Sequence, residues 1–127
     1  KQTADSVEGI AVEANVGKED AIIDVIEKSN KHAGGVDIFC SNAGISGVPG
    51  FFEAKTSDWQ NIWEINVQAH IFAAKHVLPQ MLEREEGYLV NTSSAAGLLT
   101  QLGAAGYSVT KAAAVSLAEW IKITYGA

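Results

Sequence analysis

One cysteine, one methionine and two prolines occur in 127 residues. The single Cys40 excludes an internal disulfide framework, and the expectation for it is a buried strand position. No apolar run reaches the roughly 18 residues that would span a bilayer, and no segment resembles a secretory leader. Basic residues are in deficit, nine Lys and Arg against fifteen Asp and Glu, and the net charge of −6 argues against a phosphate-backbone partner. The histidines are scattered: His70 and His76 lie six positions apart and His32 belongs to another segment, so no i,i+4 metal site exists. Glycine is plentiful at twelve residues, yet none forms the G-x-G-x-x-G turn that lines a phosphate cradle with backbone amides. The expectation is one domain over residues 1–127 without nucleic-acid, metal or membrane roles, with the cytoplasm as default compartment.

Along the chain, strand and helix patterns alternate, as in βαβ units. Gly9 to Val16 reads as a strand, and a helix follows from about Lys18 to His32 with Ile22, Val25, Ile26 and Ser29 on one stripe. Gly34-Gly35 should stop it. Val36 to Cys40 reads as the next strand, ending in Ser41-Asn42-Ala43-Gly44, and a Gly/Pro loop runs from Ile45 to Phe52. Ser57 and Gln60 suggest a capping box for a long helix to about Glu85, which Pro79 should kink. Its Trp59, Ile62, Trp63, Val67, Ile71 and Ala74 should face a sheet or a partner. Tyr88-Leu89-Val90 reads as a short buried strand, and a last helix runs from about Ala104 to Ile123.

That last helix carries the chemistry. Tyr107 and Lys111 are four apart and share one helix face, where an ammonium can favour the ionised form of a phenol. A free tyrosine ionises near about 10, so a base useful near neutrality needs roughly 4 kcal/mol of help, which one surface charge does not supply. The pair therefore implies a pocket. Thirteen positions upstream of Tyr107, Ser94 follows the Tyr88-Leu89-Val90 strand in the run Asn91-Thr92-Ser93-Ser94-Ala95-Ala96-Gly97. A serine there faces the crevice where open α/β sheets bind ligands.

The order Asn42-Ala43-Gly44, Asn66, Ser94 and Tyr107-Ser108-Val109-Thr110-Lys111 resembles the short-chain dehydrogenase/reductase family. The resemblance runs through nearly the whole chain. It implies a partial Rossmann-like α/β fold, a doubly wound parallel sheet in three α/β/α layers that lacks the first two strands and the C-terminal strands. It implies NAD or NADP as cofactor and a small-molecule alcohol or carbonyl as substrate. Asn66, Ser94, Tyr107 and Lys111 would be the catalytic residues, and Asn42, Ala43 and Gly44 would lie beside the adenosine half of the cofactor, with Tyr107 and Lys111 also touching it. Ser93 would serve the local backbone or the cofactor. Asn15 stands where the family commonly has an aspartate that accepts from the adenine amino group; a strand-end turn is the alternative reading for it. A homo-oligomer is implied for the full-length protein.

The missing glycine turn points to an internal fragment, with Gly9–Val16 as the third strand of the full fold and about 60 residues upstream. In the order 3-2-1-4-5-6 that strand would stand about 14 Å from the next, or move in to pair with it directly. A relaxed fragment should show direct pairing. Such a fragment alone should bind little cofactor. The rival reading is a non-catalytic, truncated relative that keeps the scaffold as a binding module.

Overall fold

A computed structural model describes residues 2–126. A short helix, α1 (Gln2–Ser6), precedes the stretch predicted as a strand, Gly9–Val16, which joins no ladder. Val12, Ala14 and Val16 are half-buried while Ala11, Glu13 and Asn15 are exposed, so a period of two is present without pairing. A strand needs a neighbour's backbone groups as well as an apolar face, and no described strand lies beside this one. Direct pairing with the next strand does not occur.

The stretch closes on itself instead: Asn15 Oδ1 accepts from Gly17 N–H at 3.1 Å, and Asn15 O accepts from Lys18 N–H at 3.0 Å. This turn opens α2 (Glu19–Ala33), whose Ile22 and Ile26 are buried on the predicted stripe. Gly34 ends the helix as predicted, at φ +83° with its N–H donated to Asn30 O at 2.8 Å. Lys75 Nζ and His76 Nε2 each lie 2.7 Å from Glu19 Oε1, which ties the start of α2 to a later helix. Those two hydrogen bonds hold the Glu19 carboxyl below its ordinary value.

Two parallel strands make the sheet, β1 (Ile38–Ser41) and β2 (Tyr88–Asn91), with Ile38 opposite Tyr88 and Ser41 opposite Asn91. Phe39 and Leu89 point toward a core of Ile22, Ile26, Val36, Ala73, Val77 and Met81. The opposite face, Ile38, Cys40, Tyr88 and Val90, is exposed. Cys40 is therefore an exposed strand residue and not a buried one. A four-residue apolar strand has two faces, and only the one met by helices is covered. Two of the three expected layers are built from the described residues.

The long helix begins two residues earlier than a Ser57 cap predicts, and its start is capped differently: Asp58 Oδ2 accepts from Lys55 N–H at 2.8 Å, in place of the Ser57 and Gln60 pair. It is also three pieces, α3 (Thr56–Trp63), a π-helical turn over Glu64–Gln68, and α4 (Ala69–Arg84). A π turn inserts one extra residue and rotates everything after it, so Ile71 leaves the predicted stripe and is exposed, whereas Ile62, Asn66, Val67, Ala69, His70, Ala73 and Ala74 are buried. Trp63 precedes the turn and is exposed at the end of α3, off the predicted stripe. Pro79 sits inside α4, which continues to Arg84. Next come α5 (Ala96–Leu99) and α6 (Ala105–Tyr125). No described helix is long and apolar enough to cross a membrane.

Candidate active site

The carboxyl ends of β1 and β2 stand side by side because the strands are parallel and in register. Their loops are pinned together: Thr92 N–H donates to Ser41 O at 2.9 Å, and Thr92 Oγ1 donates to Asn42 Oδ1 at 3.0 Å. This places Asn42-Ala43-Gly44 beside Thr92-Ser93-Ser94, at the position where parallel sheets receive ligands.

Behind the loops lies Asn66, fully buried in the π turn. Its Oδ1 accepts from Ile45 N–H at 2.8 Å, while Nδ2 donates to Ile45 O at 2.9 Å and to Thr110 Oγ1 at 3.1 Å. The two-way bond with one residue fixes the backbone just after Gly44. Thr110, also fully buried, donates to Tyr107 O at 3.0 Å and so connects Asn66 to α6. A Cβ on Gly44 would lie 3.3 Å from both Asn66 Oδ1 and Lys111 Nζ. Glycine here leaves room in front of both groups.

Lys111 is 3 % exposed, unusual for a lysine, and its Nζ donates to Thr92 O at 2.9 Å. The same ammonium lies 5.7 Å from the centroid of the Tyr107 ring. Tyr107 is half-buried at the first turn of α6. The helical spacing thus delivers both groups to one place, and the lysine is buried there. Ser94 is half-buried, and its Oγ accepts from Ala96 N–H at 3.2 Å, opening α5. The Ser93 hydroxyl donates to Lys111 O at 2.9 Å, a backbone carbonyl of α6 in place of the expected local one. Asn15 lies away from this group in the Gly17 turn, with one lone pair of its carbonyl engaged.

Several participants have no signal in the sequence. Thr92 and Thr110 act through contacts 50 and 44 residues away in the chain. Ser108 Oγ accepts from Gln101 N–H at 2.9 Å and anchors the loop before α6. His70, 2 % exposed, pairs its Nδ1 with Asn91 Oδ1 at 3.1 Å. Burial pushes its pKa below the ordinary histidine value, and the Lys111 charge pushes the same way. No described group of three or more His, Cys, Asp or Glu residues could hold a metal ion.

Gly97 shows how closely the pieces fit. A Cβ there would stand 2.7 Å from Lys111 O and 2.8 Å from Lys111 C, against backbone that cannot swing aside. Gly97→Ala is expected to cost about 2 kcal/mol, in the range of overpacked cores, read as a lower urea midpoint at constant slope. An unchanged midpoint would show that α5 can lift off α6 freely.

The sequence and structure have relatives. A model of the short chain dehydrogenase family matches residues 1–126. A 3-oxoacyl-[acyl-carrier-protein] reductase from Staphylococcus epidermidis is 31% identical over 116 residues, which are 91% of this chain and 48% of that protein. A CLA biosynthesis dehydrogenase/reductase from Lactiplantibacillus plantarum is 34% identical over 114 residues, covering 88% of this chain and 40% of the relative. Among solved structures, a short-chain dehydrogenase from Streptomyces avermitilis superimposes with a TM-score of 0.86 at 32% identity, over 91% of this chain and 42% of that one. The chain spans less than half the length of each of these relatives. With the sheet order, the strand-end loops and the family match in agreement, this chain belongs to the short-chain dehydrogenase family.

Proposed function

We propose that these residues form the proton-transfer part of an NAD(P)-dependent oxidoreductase acting on an alcohol or carbonyl of a small molecule. The observation that carries the reading is the buried Lys111 ammonium, held by Thr92 O at 2.9 Å and facing the Tyr107 ring at 5.7 Å. A buried cation beside a phenol stabilises negative charge where a proton leaves the tyrosine. In reduction the Tyr107 hydroxyl gives its proton to the substrate oxygen, and in oxidation it takes one away. Ser94 orients that oxygen and stabilises charge developing on it. Asn66 spends both N–H groups and one lone pair on Ile45 and Thr110, so its remaining lone pair is what it offers a water in a proton relay behind Lys111.

A Cβ at Gly44 would come within 3.3 Å of Asn66 Oδ1 and Lys111 Nζ, so glycine lets the loop after β1 lie close to the lysine. Lys111 and Tyr107 would hold the ribose, Asn42, Ala43 and Gly44 would line the adenosine side, and Asn15 would meet the adenine. When bound, the nicotinamide supplies or accepts the hydride. None of the twelve glycines builds the G-x-x-x-G-x-G turn for the pyrophosphate, so that group finds no cradle among these residues. The exposed Trp63, Ile71 and Trp120 suit contact with a second copy of a full-length protein.

Equilibrium dialysis of the 127-residue chain with NADH and NADPH should show no submillimolar binding. A fusion that flanks the same chain with the corresponding N- and C-terminal segments of a relative should oxidise NADH or NADPH in the presence of a carbonyl panel, followed by nicotinamide absorbance. A folded fusion that binds the cofactor and turns over no carbonyl would overturn the oxidoreductase reading.

A further inference from the structure

Lys111 is a buried cation whose partner is a neutral carbonyl, with no salt bridge to any carboxylate among the described residues. Its placement then depends on how firmly Thr92 O is presented. Thr92 directly follows Asn91, the last residue of β2, and the Asn91 side chain meets His70 on α4 at 3.1 Å. His70 lies one helical turn beyond Asn66, so consecutive turns of the long helix reach the two sides of the lysine: Asn66 through Ile45 and Thr110, His70 through Asn91. Asn91 Oδ1 can only accept, which makes His70 Nδ1 the donor and leaves Nε2 as a lone pair. That Nε2 is buried with no hydrogen-bond partner among the described residues.

We propose that His70 is a positioning residue for Lys111, holding Asn91 through its Nδ1–H so that the end of β2 keeps the Thr92 carbonyl on the lysine ammonium. The chain of contacts is His70 Nδ1, Asn91 Oδ1, the Asn91–Thr92 peptide, Thr92 O, Lys111 Nζ. His70 does this as a neutral ring. An imidazolium would bring a second positive charge into a site that already buries Lys111, the one charged group bearing on it. From β2 it is faced by the neutral Asn91 amide, and Glu19 of α2 is engaged by Lys75 and His76 further along α4. Burial opposes the charged ring and so does the Lys111 charge, whereas the Nδ1–H bond to Asn91, which protonation leaves in place, favours it; acidification therefore sets His70 against Lys111 across that bond. Since the folded-state pKa of His70 is depressed, the stability it contributes is complete above the ordinary histidine value and is lost as pH falls below it.

The consequence for turnover rests on the oxidoreductase reading; the contact itself does not, so it is measured on the 127-residue chain by NMR. In wild type the ring nitrogens of His70 should report the neutral Nδ1–H tautomer at neutral pH, with slow exchange of the Lys111 ammonium protons. His70→Leu should speed that exchange about tenfold, as for a lost hydrogen bond, and shift the Thr92 carbonyl carbon. His70→Asn, which returns a donor near the Nδ1 position, should restore both. Exchange and carbonyl shift that ignore His70→Leu, or a His70→Asn variant no better than His70→Leu, would falsify the proposal. If His70→Leu does not fold, titration of wild type decides: Lys111 exchange must accelerate in step with His70 protonation, and independence of the two overturns the assignment. Failure of the fusion to turn over carbonyls would remove the oxidoreductase reading and leave these NMR outcomes standing.

Discussion

Tyr107→Phe is expected to lower kcat of a turnover-competent form of the chain by about 10³-fold, the scale of a lost general acid. The substitution removes one oxygen and keeps the ring, so the Lys111 ammonium still meets an aromatic face at 5.7 Å and the half-buried packing is retained. The hydroxyl makes no hydrogen bond within the described residues, and stability should change by no more than about 0.5 kcal/mol. KM should move little, because an interaction used for proton transfer is made in the transition state. Steady-state kinetics with a saturating nicotinamide cofactor, beside a urea titration of the same preparation, separates the two effects. A loss smaller than tenfold with an intact fold would mean that another group supplies the proton. A loss accompanied by a large drop in midpoint would mean that the hydroxyl holds structure.

The parts of this site that were legible in the sequence are those whose geometry is local. Tyr107 and Lys111 meet because helical residues four apart always share a face, whatever surrounds them. Ser94 was legible because it follows a strand, and strand ends open on the crevice. Asn66 and Gly44 came from the family resemblance alone: they are adjacent only because a π turn directs Asn66 at the loop after β1, and no regular period describes a π turn. The same turn explains why a stripe counted at 3.6 residues placed Ile71 inward, where it is exposed; Trp63 lies before the turn and is exposed on α3 itself.

The misread strand and cysteine share a different cause. Apolar alternation in Gly9–Val16 correctly reports which side chains seek cover, as Val16 packing against the core shows. Pairing depends on a neighbouring strand, which is a property of the rest of the sheet. Cys40 likewise belongs to a true strand, and its exposure follows from which face of β1 the helices α2 and α4 cover. His70 was silent because an isolated histidine on an apolar helix gives no sign of its partner; Asn91 lies 21 residues away.

Asn66→Leu is expected to be among the most damaging single changes to stability, at about 3 kcal/mol. Leucine keeps the branched outline of asparagine but carries bulkier methyl groups, so the change leaves no cavity and combines lost hydrogen bonds with some crowding. Three are lost at once, the two to Ile45 and the one to Thr110. Thr110 keeps a partner in Tyr107 O, but the Ile45 N–H and carbonyl face an apolar side chain, and an orphaned buried group costs about 1–3 kcal/mol. Half-burial of Ile45 places each toward the lower part of that range. Against a typical domain stability of about 5–15 kcal/mol, the loss is a large fraction of the whole. Thr110→Val removes the third bond together with the Thr110 bond to Tyr107 O and should cost about 1–2 kcal/mol, so a larger midpoint loss in Asn66→Leu reports on the Ile45 pair. Amide exchange at Ile45 supplies the local readout: protected in wild type and in Thr110→Val, and fast in Asn66→Leu. Equal midpoints for the two variants, with Ile45 still protected in both, would show that the loop after Gly44 holds its course without Asn66, and the buried asparagine would then need another reason to occupy the centre of the π turn.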